Sequence, residues 1–204
     1  MLDVQDLAAR RGHTQLFTGL SFAVEPGHAL VVTGANGTGK TTLLRMLAGL
    51  TLPAAGEIRW DGKPVAPYDP ELRASMAFVG HAPALKDELT TEENLGILMA
   101  LGGETFSTES IQRALDAVAL GSRRALPARV LSQGQRRRVG LARLSLLARR
   151  LWILDEPTTA LDAAGAAMLA GLIAAHLDRG GLAVAATHAP LSLPAAQVDA
   201  IALG

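Results

Sequence analysis

Gly34-Ala35-Asn36-Gly37-Thr38-Gly39-Lys40-Thr41-Thr42 decides how the rest of this chain is read. The stretch fits G-x-x-x-x-G-K-[ST], the spacing of a phosphate-binding loop. Its glycines let successive backbone N–H groups turn toward phosphate oxygens. Lys40 reaches the β- and γ-phosphates, and the Thr41 hydroxyl is placed to ligate Mg²⁺. Ala29–Thr33, just upstream, reads as a buried strand. Thr41–Leu50, just downstream, reads as a helix with an apolar face at Leu43, Leu44, Leu47 and Leu50. Strand, glycine loop and helix are the context this motif requires.

Further along, Leu151-Trp152-Ile153-Leu154-Asp155-Glu156 is an apolar strand ending in two acids. In a parallel sheet, ligands gather beyond the carboxyl ends of the strands. Asp155 is therefore expected to face the Mg²⁺, directly or through water. Glu156 stands one step further, where it can polarise a water aimed at the γ-phosphate. An acid pair at a strand end is otherwise a cap or turn; the phosphate loop upstream favours the catalytic reading. Leu131-Ser132-Gln133-Gly134-Gln135 opens a helix with Ser132 at its N-cap. Ser132, Gly134 and the free N–H groups there form an anion site, with plain capping as the bland alternative.

Between these motifs, Leu2–Leu7 and Leu20–Val24 alternate as strands do, and Pro26-Gly27 marks a turn. Gly56–Trp60 followed by Asp61-Gly62 reads as a hairpin edge. Met76–Val79, Leu182–Ala186 and Ala200–Leu203 read as further strands, and Asp162–Arg179 as a long Ala-rich helix. Residues 82–130 are richer in charge and helix formers, with helices expected near Thr91–Met99 and Glu109–Val118. With the helix opened by Ser132 they make a helical subdomain of approximately residues 82–150, inserted in a single domain spanning 1–204. The expected fold class is α/β: a phosphate-loop core with a mostly parallel sheet, an antiparallel β subdomain and an inserted helical subdomain.

Composition narrows the function. Of the 204 residues 49% are apolar but only 3% aromatic, so Leu, Ala, Val and Ile must fill the core. Formal net charge is zero, so nothing global attracts nucleic acid or anionic lipid. The lack of cysteine removes disulfides, thiolate metal sites and covalent haem attachment, and fits a cytosolic chain. Met1–Arg11 carries early acids and no long apolar run, unlike a signal peptide. No stretch approaches the roughly 18 uninterrupted apolar residues of a membrane span.

Five elements now stand in one order: the loop Gly34–Thr42, Leu131–Gln135, Leu151–Glu156, Ala160-Leu161-Asp162 and His188. This set resembles the nucleotide-binding subunits of ABC transporters across essentially the whole chain. The resemblance makes these elements the Walker A motif, the signature, the Walker B motif, the D-loop and the switch histidine. It implies an ATPase with ATP and Mg²⁺ as ligands and with Lys40, Glu156 and His188 as catalytic residues. Nucleotide contacts come from Gly34, Ala35, Asn36, Gly37, Thr38, Gly39, Lys40, Thr41, Thr42 and Arg11. Ser132, Gly134 and Gln135 are offered to the ATP of a second copy, in a homodimer that sandwiches two nucleotides. Thr41, Asp155 and His81 fall at the metal positions.

A narrower resemblance rests on Gly80-His81-Ala82-Pro83, Lys86, Glu88-Leu89-Thr90, Leu131–Val139 and Leu151–Pro157. These runs look like the ATPases of the cytochrome c maturation system, which are associated with haem export. That implies a peripheral subunit on the cytoplasmic face of the bacterial inner membrane, an integral CcmB-like permease beside a CcmC-like protein, no nucleic acid, and no direct haem binding by this chain. An ABC-type ATPase of cofactor assembly, or a motor for another substrate, are the other readings. The chain lacks the coiled-coil insertion or second cassette usual in soluble DNA-repair and translation members.

Two positions depart from the family pattern. The adenine-stacking aromatic falls at Arg11, with no Tyr, Phe or Trp between Met1 and Gln15; a planar guanidinium can stack in its place. The Q-loop glutamine falls on His81, whose imidazole can ligate Mg²⁺ or order a water. Arg136-Arg137-Arg138 reads as a solvated helix face rather than a nucleic-acid contact. His13, His28 and His176 lack ligand-spaced partners. His81–Leu95 mixes Pro83, Ala84 and Leu85, expected to be exposed, with Lys86, Asp87 and Glu88. It is the candidate surface for a helix of a membrane subunit.

Overall fold

The computed structural model describes residues 1–204. In chain order its first half holds β1 (Leu2–Arg11), β2 (Thr14–Val24), β3 (Ala29–Gly34), α1 (Lys40–Leu47), β4 (Ala55–Trp60), β5 (Lys63–Pro64), α2 (Pro70–Ser75), β6 (Met76–Val79) and α3 (Thr91–Leu101). There follow α4 (Thr108–Ala117), α5 (Gln133–Leu146), β7 (Leu151–Asp155), α6 (Ala163–Asp178), β8 (Leu182–Ala186) and β9 (Val198–Leu203). The chain divides into two compact units. The first is Met1–Phe78, Arg149–Glu156 and Ile173–Gly204; the second is Val79–Ala148 and Pro157–Leu172.

The first unit carries an antiparallel sheet, order β2-β1-β4-β5, and the five-stranded sheet β6-β7-β8-β3-β9. In the latter, β7, β8, β3 and β9 pair in parallel. One core joins Leu2, Val4 and Leu7 of the first sheet to Leu30, Val32, Leu151, Ile153 and Val184 of the second, through Leu43, Leu44 and Leu47 of α1. Those three leucines are fully buried, each worth about 2 kcal/mol relative to exposure. β6 and β8 have the bounds that their apolar runs predict. β2 begins at Thr14, well before Leu20, because it is a long edge strand whose outer face stays exposed and carries little periodic signal. α2 went unread: it has six residues, too few for a helical period, and is set by Pro70 and by Asp69, which accepts the Leu72 N–H at 3.0 Å.

A buried pair links β7 to α6. Trp152 and His176 stack with ring centroids 3.9 Å apart and planes 7° from parallel. His176 is 5% exposed, and its Nε2 lies 3.1 Å from the Leu182 carbonyl. Burial pushes the imidazole below the ordinary histidine value, and the Leu182 carbonyl opposes this more weakly. Below about pH 6.5 the unfolded chain therefore binds the proton more readily than the native one. The stabilisation lent by neutral His176 is complete above about pH 6.5 and is lost as pH falls, by at most about 1.4 kcal/mol per pH unit. Thermal unfolding followed from about pH 8 to about pH 5 should show this decline, and His176→Phe should flatten it. An equal decline in that variant would assign it to other groups.

The second unit has its own core of Leu95, Ile111, Ala114, Leu115, Val118, Leu120, Leu131, Val139 and Ala142. Thr90 and Glu93 form a capping box at α3. Asn94, 3% exposed, accepts the Lys86 N–H at 2.7 Å and donates to the carbonyls of Lys86, Leu89 and Thr90 at 2.9, 3.0 and 3.0 Å. One buried amide thus shapes the whole 86–90 loop. Two expectations are corrected here. Leu85 is not an exposed contact: it is half-buried and packs against this core, since the Asn94-held loop turns it inward. The large exposed apolar residues of α3 are instead Ile97 and Leu101. Nor is 136–138 a solvated run: Arg137 is buried, and Arg136 and Arg138 pair with Asp87 and Asp162.

Candidate active site

Strand register assembles the site in the first unit. Val32 of β3 lies level with Ala186 of β8, and Ala186 lies level with Asp155 of β7. Residues following these three strands therefore emerge together at one edge of the sheet, although the chain separates β3 from the other two by more than a hundred positions. Two backbone bonds extend the alignment: the Thr187 N–H donates to the Val32 carbonyl at 3.2 Å, and the Glu156 N–H to the Ala186 carbonyl at 2.8 Å. Glu156 adopts φ 48°, a left-handed conformation uncommon outside glycine. Such strain persists where surrounding structure over-determines it, often at functional sites.

The loop after β3 wraps toward α1. Gly34 has φ 141°, and a Cβ there would lie 2.2 Å from the Leu203 carbonyl oxygen, so no other residue fits. The N-cap of α1 is Gly39, without a side-chain cap and without an acid in the first turn. The first N–H groups of the helix are thus left to an anion. Lys40, the first residue of α1, is 7% exposed. Its ammonium donates to the Gly34 and Ala35 carbonyls at 2.7 and 3.1 Å. Beside it, His188 Nε2 lies 3.2 Å from Lys40 Nζ, 3.1 Å from Asn36 Oδ1 and 3.4 Å from Glu156 Oε1. Nε2 thus stands between one donor, the Lys40 ammonium, and two acceptors, Asn36 Oδ1 and Glu156 Oε1. Thr41 Oγ1 stands 3.2 and 3.0 Å from the two oxygens of Asp155, itself 3% exposed.

Arg11 lies exposed at the β1–β2 hairpin, opposite Thr14. Two residues beyond the aromatic-free opening, Phe17 on β2 brings its half-buried ring against the phosphate loop: a Cβ on Gly39 would lie 3.2 Å from that ring. Phe17 falls out of phase with the alternation of Leu16, Leu20 and Phe22, so that pattern does not mark it.

Within the second unit, Ser132 and Gln135 form a reciprocal capping box at α5. Ser132 Oγ accepts the Gln135 N–H at 3.2 Å, and Gln135 Oε1 accepts the Ser132 N–H at 3.0 Å. The Ser132 hydroxyl hydrogen is left to donate to an anion. Gly134 lies under Ala160: a Cβ would sit 2.6 Å from the Ala160 carbonyl oxygen. Asp162 accepts from the Gly165 N–H at 2.8 Å and from Arg138 at 2.6 Å, and these donors, Gly165 first, hold its carboxyl below the usual range. His81 has an exposed side chain; its recorded contact is through its carbonyl, which accepts from Arg137.

A glycine loop at a helix N-terminus, a buried lysine whose recorded partners carry no negative charge, and a strand-end acid pair are the apparatus of a phosphate-loop nucleotidase. Comparison with known proteins narrows the class. Residues 17–159 match the family model described as ABC transporter. A "Cytochrome c biogenesis ATP-binding export protein CcmA" of Pseudomonas aeruginosa is 49% identical over 197 residues, covering 97% of both chains. The protein of the same name from Dechloromonas aromatica is 48% identical over the full length of both. Among solved structures, a putative ABC transporter ATP-binding protein of Pyrococcus furiosus superposes with TM-score 0.85 at 25% identity, over 99% of this chain and 96% of that one. A dimeric ATP-binding cassette solved with ADP and Pi shares the fold, with TM-score 0.79 at 23% identity, over 93% of this chain and 88% of that one. This chain belongs to the ABC transporter family and is an ATP-hydrolysing subunit of it. No helix is long and apolar enough to cross a membrane.

Proposed function

We propose that this chain is the motor of a cytochrome c maturation, haem-export complex, coupling ATP hydrolysis to movement of an integral membrane partner. The observation that carries the catalytic half is the convergence of Lys40, Asn36, Glu156 and His188 within 3.4 Å contacts at one sheet edge. The near-full-length likeness to proteins named for cytochrome c biogenesis carries the other half. ATP phosphates enter the loop Gly34–Thr42, where Lys40 exchanges the Gly34 and Ala35 carbonyls for phosphate oxygens. Glu156 takes a proton from the water whose oxygen attacks the γ-phosphorus, and the bond to the bridging oxygen of ADP breaks. His188 holds Glu156 and Asn36 in register with that water.

Thr41 and Asp155 present hard oxygen donors within 3.2 Å of each other, and no cluster of three or more His, Cys, Asp or Glu stands ready for a metal. That set suits Mg²⁺, which Thr41 and Asp155 would hold, directly or through water. When bound it would supply charge neutralisation for the phosphates. By the family resemblance, His81 holds the Q-loop position, Arg11 meets the base, and Ser132, Gly134 and Gln135 face the ATP of a second copy. The working unit is then an ATP-bound homodimer at the cytoplasmic face of the inner membrane, with the helical unit as one inserted subdomain of a single domain. The permease is CcmB-like, alongside a CcmC-like protein. Affinity capture of the tagged chain from detergent-solubilised membranes tests this. The permease should co-purify stoichiometrically and raise ATPase activity. A chain that hydrolyses ATP at full rate alone and retrieves no permease would contradict the motor.

A further inference from the structure

We propose that Arg137 is a positioning residue. It fastens the loop leaving β6 and the Pro157 turn to the helix that bears Ser132 and Gly134, so that the three shift as one piece during the ATP cycle. The inference rests on the ATPase reading above.

The middle arginine of 136–138 is the buried one of the three. Arg136 and Arg138 find carboxylates at 2.6 Å, Asp87 and Asp162. Arg137 is 4% exposed. Its Nη1 donates to the Gly80 and His81 carbonyls at 2.7 and 2.9 Å, and its Nε to the Pro157 carbonyl at 3.3 Å. Removing a guanidinium from water is costly, and an apolar side chain would fill the same space at less cost. What the guanidinium adds is geometry. Its planar fork has five N–H donors in fixed directions, so one side chain can grip carbonyls from two segments at once.

The gripped segments are informative. Gly80 and His81 form the loop directly after β6. Pro157 is bonded directly to Glu156. One helical turn beyond Arg137, Gly140 receives the same loop a second time: a Cβ there would meet Pro83 at 3.6 Å. Arg138 then ties Asp162 to the same helix, and Gly134 tucks under Ala160. The start of α5, the 80–83 loop and the 157–162 segment are thus one fastened body. Arg137 is the buried link that reaches both loops.

The test uses Arg137→Met and Arg137→Lys in the full chain, with and without its membrane partner. Arg137→Met should leave KM for ATP within about twofold and lower kcat about tenfold. Lysine, a single ammonium able to reach only part of the set, should recover some of that loss. Amide hydrogen exchange of the nucleotide-free chain gives a second readout. Arg137→Met should speed exchange at both 79–82 and 157–160, and Arg137→Lys less so. If Arg137→Met fails to fold, Arg137→Lys carries both measurements. Wild-type exchange at both segments overturns the fastening, whether or not the chain hydrolyses ATP. So does a loss of kcat that lysine does not ease and that is matched by an equal loss of ATP affinity. Absence of ATPase activity in the unmodified chain would instead defeat the motor reading and leave the exchange result to decide this one.

Discussion

Lys40→Ala is expected to abolish ATP hydrolysis and to weaken ATP binding strongly. Lys40 is 7% exposed, and its ammonium lies against two backbone carbonyls at 2.7 and 3.1 Å. A cation so placed is held ready for phosphate, and its hydrogen bonds to phosphate are charge-assisted and largely screened from water. Losing it removes contacts to the charge that develops in the transition state, so turnover should fall on the order of 10²-fold or more. Phosphate release measures the first effect and equilibrium binding of a fluorescent ATP analogue the second. Near-normal values of both would mean that the loop does not hold phosphates.

Glu156→Gln has an equally large but more selective expected effect. The amide keeps the shape, and it can either accept from or donate to His188 Nε2, which lies 3.4 Å from the Glu156 carboxylate. The backbone at φ 48° is held by the bond to Ala186 and is left intact. What disappears is the base, worth about 10²–10⁴-fold in general base catalysis. ATP should therefore bind with wild-type affinity and remain uncleaved. In the proposed homodimer, where Ser132 and Gly134 of one copy complete the site of the other, uncleaved ATP should hold two chains together. Gel filtration of Glu156→Gln with Mg-ATP is expected to show a dimer that Mg-ADP does not support. A variant that stays monomeric in Mg-ATP would count against the two-site sandwich.

How much of this was legible beforehand varies with how local the cause is. The loop Gly34–Lys40 and the strands Met76–Val79 and Leu182–Ala186 are encoded by neighbours in sequence, and the structure has them where pattern alone puts them. The capping box of Ser132 and Gln135 is equally local. The meeting of Asn36, Glu156 and His188 is not; it depends on the register of β3, β8 and β7, which spacing does not display. The arginine run shows the limit most clearly. Three consecutive charges look solvated, yet successive helical residues point about 100° apart, so the middle one turns inward onto the backbone carbonyls of Gly80, His81 and Pro157. Leu85 failed in the opposite direction. Its charged neighbours suggested exposure, but Asn94, eight residues beyond Lys86, fixes the loop and turns Leu85 inward. The Trp152–His176 stack needed the packing of β7 against α6 to be seen.

The central claim is that ATP hydrolysis at Glu156 drives cytochrome c maturation. It is tested most directly by haem staining of c-type cytochromes in cells whose own copy of this subunit is deleted and replaced in turn by the unmodified chain and by Glu156→Gln, at matched expression and with the permease co-purifying in both. The unmodified chain should restore covalently attached haem, and Glu156→Gln should leave it at the level of the deletion. Full restoration of haem attachment by Glu156→Gln would contradict the claim.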